Sequence, residues 1–218
     1  MEGTYSLIGR SAREDAMGVV VATAAFAVGK RVPHALYGVG AVATQGRTDT
    51  SYASRGIALL KLGVAPEHAL PLLTAEDADS KYRQAIMMDW YGRSAVHTGN
   101  ETDAERADAI GRDCIAAGNT LHSPSVPTVM IESFQERSEL RLADRLMAAL
   151  RAGTAAGGDR RGATSAALLV VSGADSQERM GPTIDLRVDD HSDPVAELDR
   201  LLLGYYRWKA DYLQRLGK

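Results

Sequence analysis

The sequence predicts an α+β fold in which an antiparallel or mixed pair of sheets carries helices on its outside. Two observations lead there. The apolar pattern switches several times between the strand period and the helix period, and strand-like segments come in runs beside runs of helices, where a doubly wound sheet would alternate them strictly. A third observation sets the scale: 218 residues with 45% hydrophobic content are enough for one domain, spanning 1–218, with a sizeable core.

The first quarter reads as strands. Residues 4–10 alternate, 17–24 form a nearly continuous apolar run and 39–45 another, with Gly29, Pro33 and Gly38 interrupting. Two helices follow. Residues 51–62 turn Ile57, Leu59, Leu60 and Leu62 towards a core and stop at Gly63; Pro66 then suits the first position of a helix carrying Ala69, Leu70, Leu72 and Leu73. A hairpin is expected with strands at 82–90 and 93–98 joined at Tyr91-Gly92, then a short strand at 113–117 ending at Gly118-Asn119. Ser123-Pro124 or Ser125 opens a helix, and a second covers 138–151 before the glycine-rich turn 153–162. Strands at 166–172 and 184–188 lead to a final helix capped by Asp193, with Pro194 in its first turn. Residues 99–112 and 152–163 read as loops.

Composition excludes several classes of function. The formal net charge is −3 and no window concentrates lysine and arginine, so no nucleic-acid partner is expected. The apolar run 19–28 is flanked by Glu14, Asp15, Lys30 and Arg31 and is far too short to span a bilayer, so no membrane partner is expected either. A single cysteine, Cys114, rules out an internal disulfide and suits a cytoplasmic location. The last helix places Leu198, Leu202, Tyr205, Trp208 and Tyr212 at helical spacing; so late an aromatic stripe predicts a homodimer contact as readily as a core face.

Several motifs tempt. Gly38-Val39-Gly40-Ala41-Val42-Ala43 matches a dinucleotide fingerprint, but the stretch continues as strand and no carboxylate follows at 57–63, so no nucleotide cofactor is expected. The five histidines lack metal spacing, and Asp185, Asp189, Asp190, His191 and Asp193 read as a strand end followed by a helix cap before they read as a cation site. No metal or other cofactor is expected. Ser165 precedes an apolar strand without a nucleophile elbow. The turn Gly157-Gly158-Asp159-Arg160-Arg161-Gly162 places a carboxylate and two guanidiniums where Arg160 or Arg161 could grip an anionic group, or where all are simply solvated. Gly118-Asn119 is an ordinary turn pair or a seat for an oxyanion donor.

Thr4, preceded by Gly3 at the head of the first strand, is either a β-branched residue opening that strand or, if residues 1–3 were removed, a nucleophile carrying its own base as a free α-amine. The segments Thr4-Tyr5-Ser6-Leu7-Ile8-Gly9-Arg10, Phe26-Ala27-Val28-Gly29, Gly38-Val39-Gly40-Ala41-Val42-Ala43-Thr44-Gln45, His97-Thr98-Gly99 and Ala117-Gly118-Asn119 carry a resemblance, as do residues 155–162, 165–171 and 184–191. The chain resembles the bacterial proteins of domain-of-unknown-function family 1028, which look like N-terminal-nucleophile hydrolases. The resemblance runs from about residue 4 to 203. It implies a four-layer αββα sandwich with two mostly antiparallel sheets between helical layers. It also implies hydrolysis of a small amide or peptide-like substrate.

On that footing Thr4 is the expected nucleophile, Asn119 the oxyanion donor and Ser6 the neighbour on the same strand face, with Thr44, Gln45, His97, Gly118, Asp159 and Arg160 as pocket wall. Family members commonly begin Met-Thr-Phe-Ser or Met-Thr-Tyr-Ser. Here Met1-Glu2-Gly3 stands before the threonine, and bulky Glu2 blocks methionine removal, so exposing Thr4 calls for cleavage of the Gly3–Thr4 bond. The competing expectation is a catalytically silent protein that keeps the fold for ligand binding or homo-oligomeric assembly.

Overall fold

The sheet order follows from how the apolar runs pair. In a computed structural model, which describes residues 3–173 and 183–217, the hairpin of β1 (Thr4–Ser11) and β2 (Ala16–Thr23) forms the middle of a six-stranded antiparallel sheet. Each strand alternates its side chains between two buried faces, so both strands are buried almost throughout. Beyond β2 lie β9 (Ser165–Ser172) and β10 (Ile184–Val188); beyond β1 lie β8 (Cys114–Asn119) and β7 (Ala107–Gly111). A second, four-stranded antiparallel sheet runs in the order β3 (Pro33–Leu36), β4 (Gly40–Gly46), β5 (Arg83–Asp89) and β6 (Ser94–Thr98).

Three apolar clusters place the remaining elements. Helices α3 (Val126–Gln135), α4 (Leu142–Ala155) and α5 (Pro194–Arg215) pack Phe134, Leu146, Leu150 and Leu198 against Tyr5, Leu7 and Val20 on one face of the larger sheet. Ile8, Val19, Val21 and Ile115 on its other face meet Ala41, Ala43, Ile86 and Met88 of the smaller sheet. Helices α1 (Ser51–Lys61) and α2 (Pro66–Ala75) cover the far face of the smaller sheet through Tyr52, Leu70 and Leu73. Burying several such side chains at about 2 kcal/mol each supplies most of the driving force for this arrangement.

The expected elements are present with three differences. Pro33 begins β3 where an interruption was expected; an edge strand tolerates a proline at its first residue because that residue need not donate to a ladder. The expected loop 99–112 contains β7, whose inward residues Ala107 and Ala109 are too small to give a strong apolar signal. Helix α4 starts at Leu142, where the Glu14 carboxylate accepts the Leu142 N–H at 2.9 Å, and it extends to Ala155 into the expected loop 152–163. Asp193 caps α5 by accepting the Ala196 N–H at 3.1 Å, as its position predicts.

Only Pro194, Val195, Leu198 and Leu202 of α5 are buried. Its far half carries a ring ladder, Tyr205 to Trp208 to Tyr212, with centroids 6.0 and 5.5 Å apart and Trp208 59% exposed. Among the described residues no helix is long and apolar enough to cross a membrane.

Candidate functional site

Strand register gathers hydroxyl and amide side chains at one end of the larger sheet. Thr4 faces Thr23 on one side and Asn119 on the other, and Thr23 faces Ser165, so four adjacent strands contribute one row. Thr4 and Ser6 share the face of Ile8, which lies in the layer between the sheets. Thr4 is 3% exposed, and its hydroxyl donates to Thr23 Oγ1 at 3.3 Å. The Thr23 hydroxyl in turn makes a close hydrogen bond to the Gly3 carbonyl, the carbonyl of the Gly3–Thr4 peptide bond.

A second donor converges on that carbonyl. Arg161 Nη2 lies 3.2 Å from the Gly3 oxygen and 2.7 Å from Asp159 Oδ2. Asp159 Oδ1 also accepts from the Arg161 Nε and backbone N–H, both at 3.0 Å, while Oδ2 accepts from the Ala24 N–H at 3.0 Å. The buried carboxylate therefore fixes the guanidinium and the loop after β2 together. Gly3 is wedged in this site: a Cβ there would come within 2.6 Å of Thr120 Cβ and 2.7 Å of Asp159 Oδ2. Thr120 itself sits at φ +51°, a left-handed conformation that is costly for a β-branched residue, and its buried hydroxyl has no hydrogen-bond partner among the described residues.

Beneath Thr4 runs a buried amide network between the two sheets. Ser6 donates to Gln45 Oε1 at 2.7 Å, and Gln45 Nε2 donates to Gln84 Oε1 at 2.8 Å and to the Ala117 carbonyl at 3.2 Å. Asn119 Nδ2 donates to the same Gln84 oxygen at 3.0 Å. Gln84 Nε2 donates to the Gly118 carbonyl and Thr98 Oγ1, both at 3.1 Å, which leaves its oxygen as the acceptor and fixes the sense of the Asn119 amide. Asn119 Oδ1 is consequently buried without a hydrogen-bond partner among the described residues.

The structure brings together Thr4, Ser6, Gln45, Gly118, Asn119 and Asp159 at this end. It does not bring the others. Thr44 lies on the opposite face of β4 from Gln45 and donates to the Asp49 carbonyl at 3.1 Å. His97 is paired across from Ala85, which belongs to the outer helical cluster, and its Nε2 is 2.8 Å from the Ser80 carbonyl. The Arg160 side chain is exposed, and Arg161 is the arginine of that turn that reaches the site. Thr23, Gln84 and Arg161 complete the arrangement; Thr23 ended an apolar run and Gln84 sat inside a strand, so only the register could have singled them out.

Ser165 is taken up structurally, donating to the Ala25 carbonyl at 2.6 Å and accepting from the Val28 N–H at 3.1 Å. The acidic segment is likewise engaged in part: Asp185 holds Arg187 through two hydrogen bonds of 2.8 Å, and Asp193 caps α5. Among the described residues no group of three or more histidine, cysteine, aspartate or glutamate side chains is placed to hold a metal ion. The glycine pair at 38 and 40 serves a turn and a crowded antiparallel strand, where a Cβ on Gly40 would lie 2.4 Å from the Met88 carbonyl oxygen.

A hollow of about 700 Å³ opens at the same end, lined by Arg31, Arg47, Thr48, Tyr82, Arg83 and Asp103. Arg83 immediately precedes Gln84, and Gly46 on the rim immediately follows Gln45, so the hollow is one residue along each strand from the amide network. Thr4, itself buried, does not line it.

The comparisons with known proteins agree on kinship. Residues 4–198 match the family described as a family of unknown function, DUF1028. The crystal structure of protein SPO2555 from Silicibacter pomeroyi, also assigned to DUF1028, is similar to this chain at 32% identity and a TM-score of 0.84, over 93% of this chain and 85% of that one. No curated protein matches. The protein belongs to the DUF1028 family of unknown function.

Proposed function

We propose that the protein is an N-terminal-nucleophile amide hydrolase in which Thr4 becomes the nucleophile once the Gly3–Thr4 bond is cut. The observation that supports this best is the treatment of the Gly3 carbonyl. It accepts from the Thr23 hydroxyl and from Arg161 Nη2, while the same Thr23 oxygen receives the Thr4 hydroxyl at 3.3 Å. An amide carbonyl held by two donors beside a hydroxyl nucleophile is polarised for attack.

In the self-cleavage, Thr4 Oγ1 adds to the Gly3 carbonyl carbon and its proton leaves by way of Thr23. The C–N bond then breaks with protonation of the Thr4 nitrogen, giving an ester on Thr4 and a free α-amine. Water hydrolyses the ester and releases the segment ending at Gly3. In turnover the α-amine, titrating near pH 8, takes the Thr4 hydroxyl proton as the oxygen attacks a substrate amide, then passes it to the leaving amine. Thr23 and Arg161, freed from Gly3, receive the substrate oxygen. Asn119 keeps a second Nδ2–H for the oxyanion, and its unpartnered Oδ1 suits the α-ammonium group. A small amide or peptide-like ligand would enter from the neighbouring hollow.

A second reading is a catalytically silent protein that binds a small ligand or assembles as a homodimer in the cytoplasm. The burial of Thr4 and the exposed ring ladder of α5 favour it. Intact mass of the purified protein during incubation at pH 7–8 separates the two. Self-cleavage predicts a species that begins at Thr4 and is absent from a folded Thr4→Ala variant. A wild-type mass that retains Gly3 throughout, or amide hydrolysis undiminished in Thr4→Ala, would overturn the proposal.

A further inference from the structure

At the opposite end of β1 from Thr4, seven residue steps or about 23 Å along the strand, lies a second hollow of about 440 Å³ lined by Arg10, Arg13, Arg112 and Arg145. Arg145, on α4, is 8% exposed. Its Nε donates to the Phe134 carbonyl at 3.2 Å and its guanidinium lies 3.9 Å over the Phe134 ring. Among the described residues no carboxylate pairs with it.

The other three arginines do not relieve that charge. Arg10 is held by Asp113 at 2.7 Å, Arg13 donates to the Glu139 and Leu140 carbonyls at 3.2 and 2.9 Å and lies 3.6 Å from the Glu14 carboxylate, and Arg112, 3.9 Å from Asp113, is 92% exposed at its side chain. Asp113 and Glu139 bring negative charge to the lining and Glu14 stands beside it against Arg13, so four guanidiniums face three carboxylates and one positive charge is in excess. Glu14 and Asp113 offset the Arg145 charge only from beyond ion-pair distance, so a direct anionic partner would still be favourable, and the planar fork of the guanidinium matches the oxygens of a phosphate. Gln135 on the same wall adds a neutral donor for the remaining oxygens.

We propose that this hollow binds a small dianionic oxyanion ligand, a phosphate or phosphate monoester, with Arg145 as its buried anchor and Arg10, Arg13 and Arg112 closing around it. The volume admits a phosphorylated small molecule and exceeds what inorganic phosphate alone would fill. The site is separate from the Thr4 end and does not depend on catalysis there.

The test is titration of the full chain with inorganic phosphate and with glycerol phosphate, read by calorimetry and thermal shift, against sodium chloride at matched ionic strength. Saturable binding with a rise in melting temperature that chloride does not reproduce is expected. Binding should fall at least tenfold in Arg145→Gln and severalfold in Arg112→Gln, and remain unchanged in Thr4→Ala. Tighter binding of the ester than of inorganic phosphate would identify the ligand as a phosphorylated metabolite; the reverse order would identify it as free phosphate. Should Arg145→Gln fail to fold, the double variant Arg13→Gln/Arg112→Gln decides. Absence of binding to wild type, or equal binding by wild type and the arginine variants, would overturn the proposal.

Discussion

Replacing Gln84 by leucine tests whether the amide network between the sheets is the keystone of the Thr4 end. Gln84 makes five hydrogen bonds: it accepts from Gln45 and Asn119, and donates to Thr98, Gly118 and, at 3.4 Å, the Ala107 carbonyl. Leucine fills a similar volume, so no large cavity forms and the effect is polar. Gln45 keeps the Ala117 carbonyl as a partner, whereas Asn119 Nδ2 loses the side-chain oxygen that holds it and its Oδ1 already has none. Stranding that buried amide costs about 2 kcal/mol. With a urea slope of about 2 kcal/mol/M for a chain of this size, the unfolding midpoint should fall by about 1 M at unchanged slope. Because the penalty resides in Asn119, the double variant Gln84→Leu/Asn119→Ala should lose less than the sum of the single losses, by about 1 kcal/mol or more. A midpoint within about 0.2 M of wild type, or strict additivity, would refute the reasoning.

Three further outcomes are expected. Thr23→Val keeps the shape of the side chain but removes the hydroxyl that links Thr4 to the Gly3 carbonyl, so conversion to the species beginning at Thr4 should slow by about a hundredfold or more, while Thr23→Ser retains it; a mass time course reads this. Hydrogen bonding from Arg83, at 2.9 Å, holds the Asp77 carboxyl below its ordinary pKa, so its contribution is present above about pH 4 and is lost as pH falls through the depressed value; Asp77→Asn should flatten the acid loss of the urea midpoint, and parallel curves would contradict it. Burial pushes the Cys114 thiol up to about 12, so alkylation at pH 8 should be negligible in the native protein and stoichiometric in guanidinium chloride.

The elements of the fold were legible because most of them carry strong local signals. Pro66 and Pro194 open helices, Gly63 closes one, Asp193 caps another, and Tyr91-Gly92 turns the hairpin between β5 and β6. A strand whose inward residues are alanine, such as β7, gives little contrast, and Pro33 reads as a break because its edge position is a property of the sheet. The site was legible only where one strand sufficed. Period two placed Thr4 and Ser6 on one face. Thr44 and His97 failed because the same rule, applied without knowing which face of the smaller sheet looks inward, cannot tell Gln45 from its neighbour. Thr23 and Gln84 needed the pairing of strands far apart in sequence, which no local pattern encodes, and the 157–162 turn offered Arg160 or Arg161 without saying which of the two reaches the site.

The row of Thr4, Thr23 and Asn119, with Arg161 above it, also fixes an order of events in time. Its members come from the start of the chain, the second strand, the eighth strand and a turn beyond residue 155, so the row does not exist until long-range pairing is complete. Such pairing is the slow part of forming an antiparallel sheet. Any scission at Gly3–Thr4 that depends on the row must therefore follow folding. A cut chain would be a record that its own sheet had closed in register, and a chain truncated before β8 would keep its first residues.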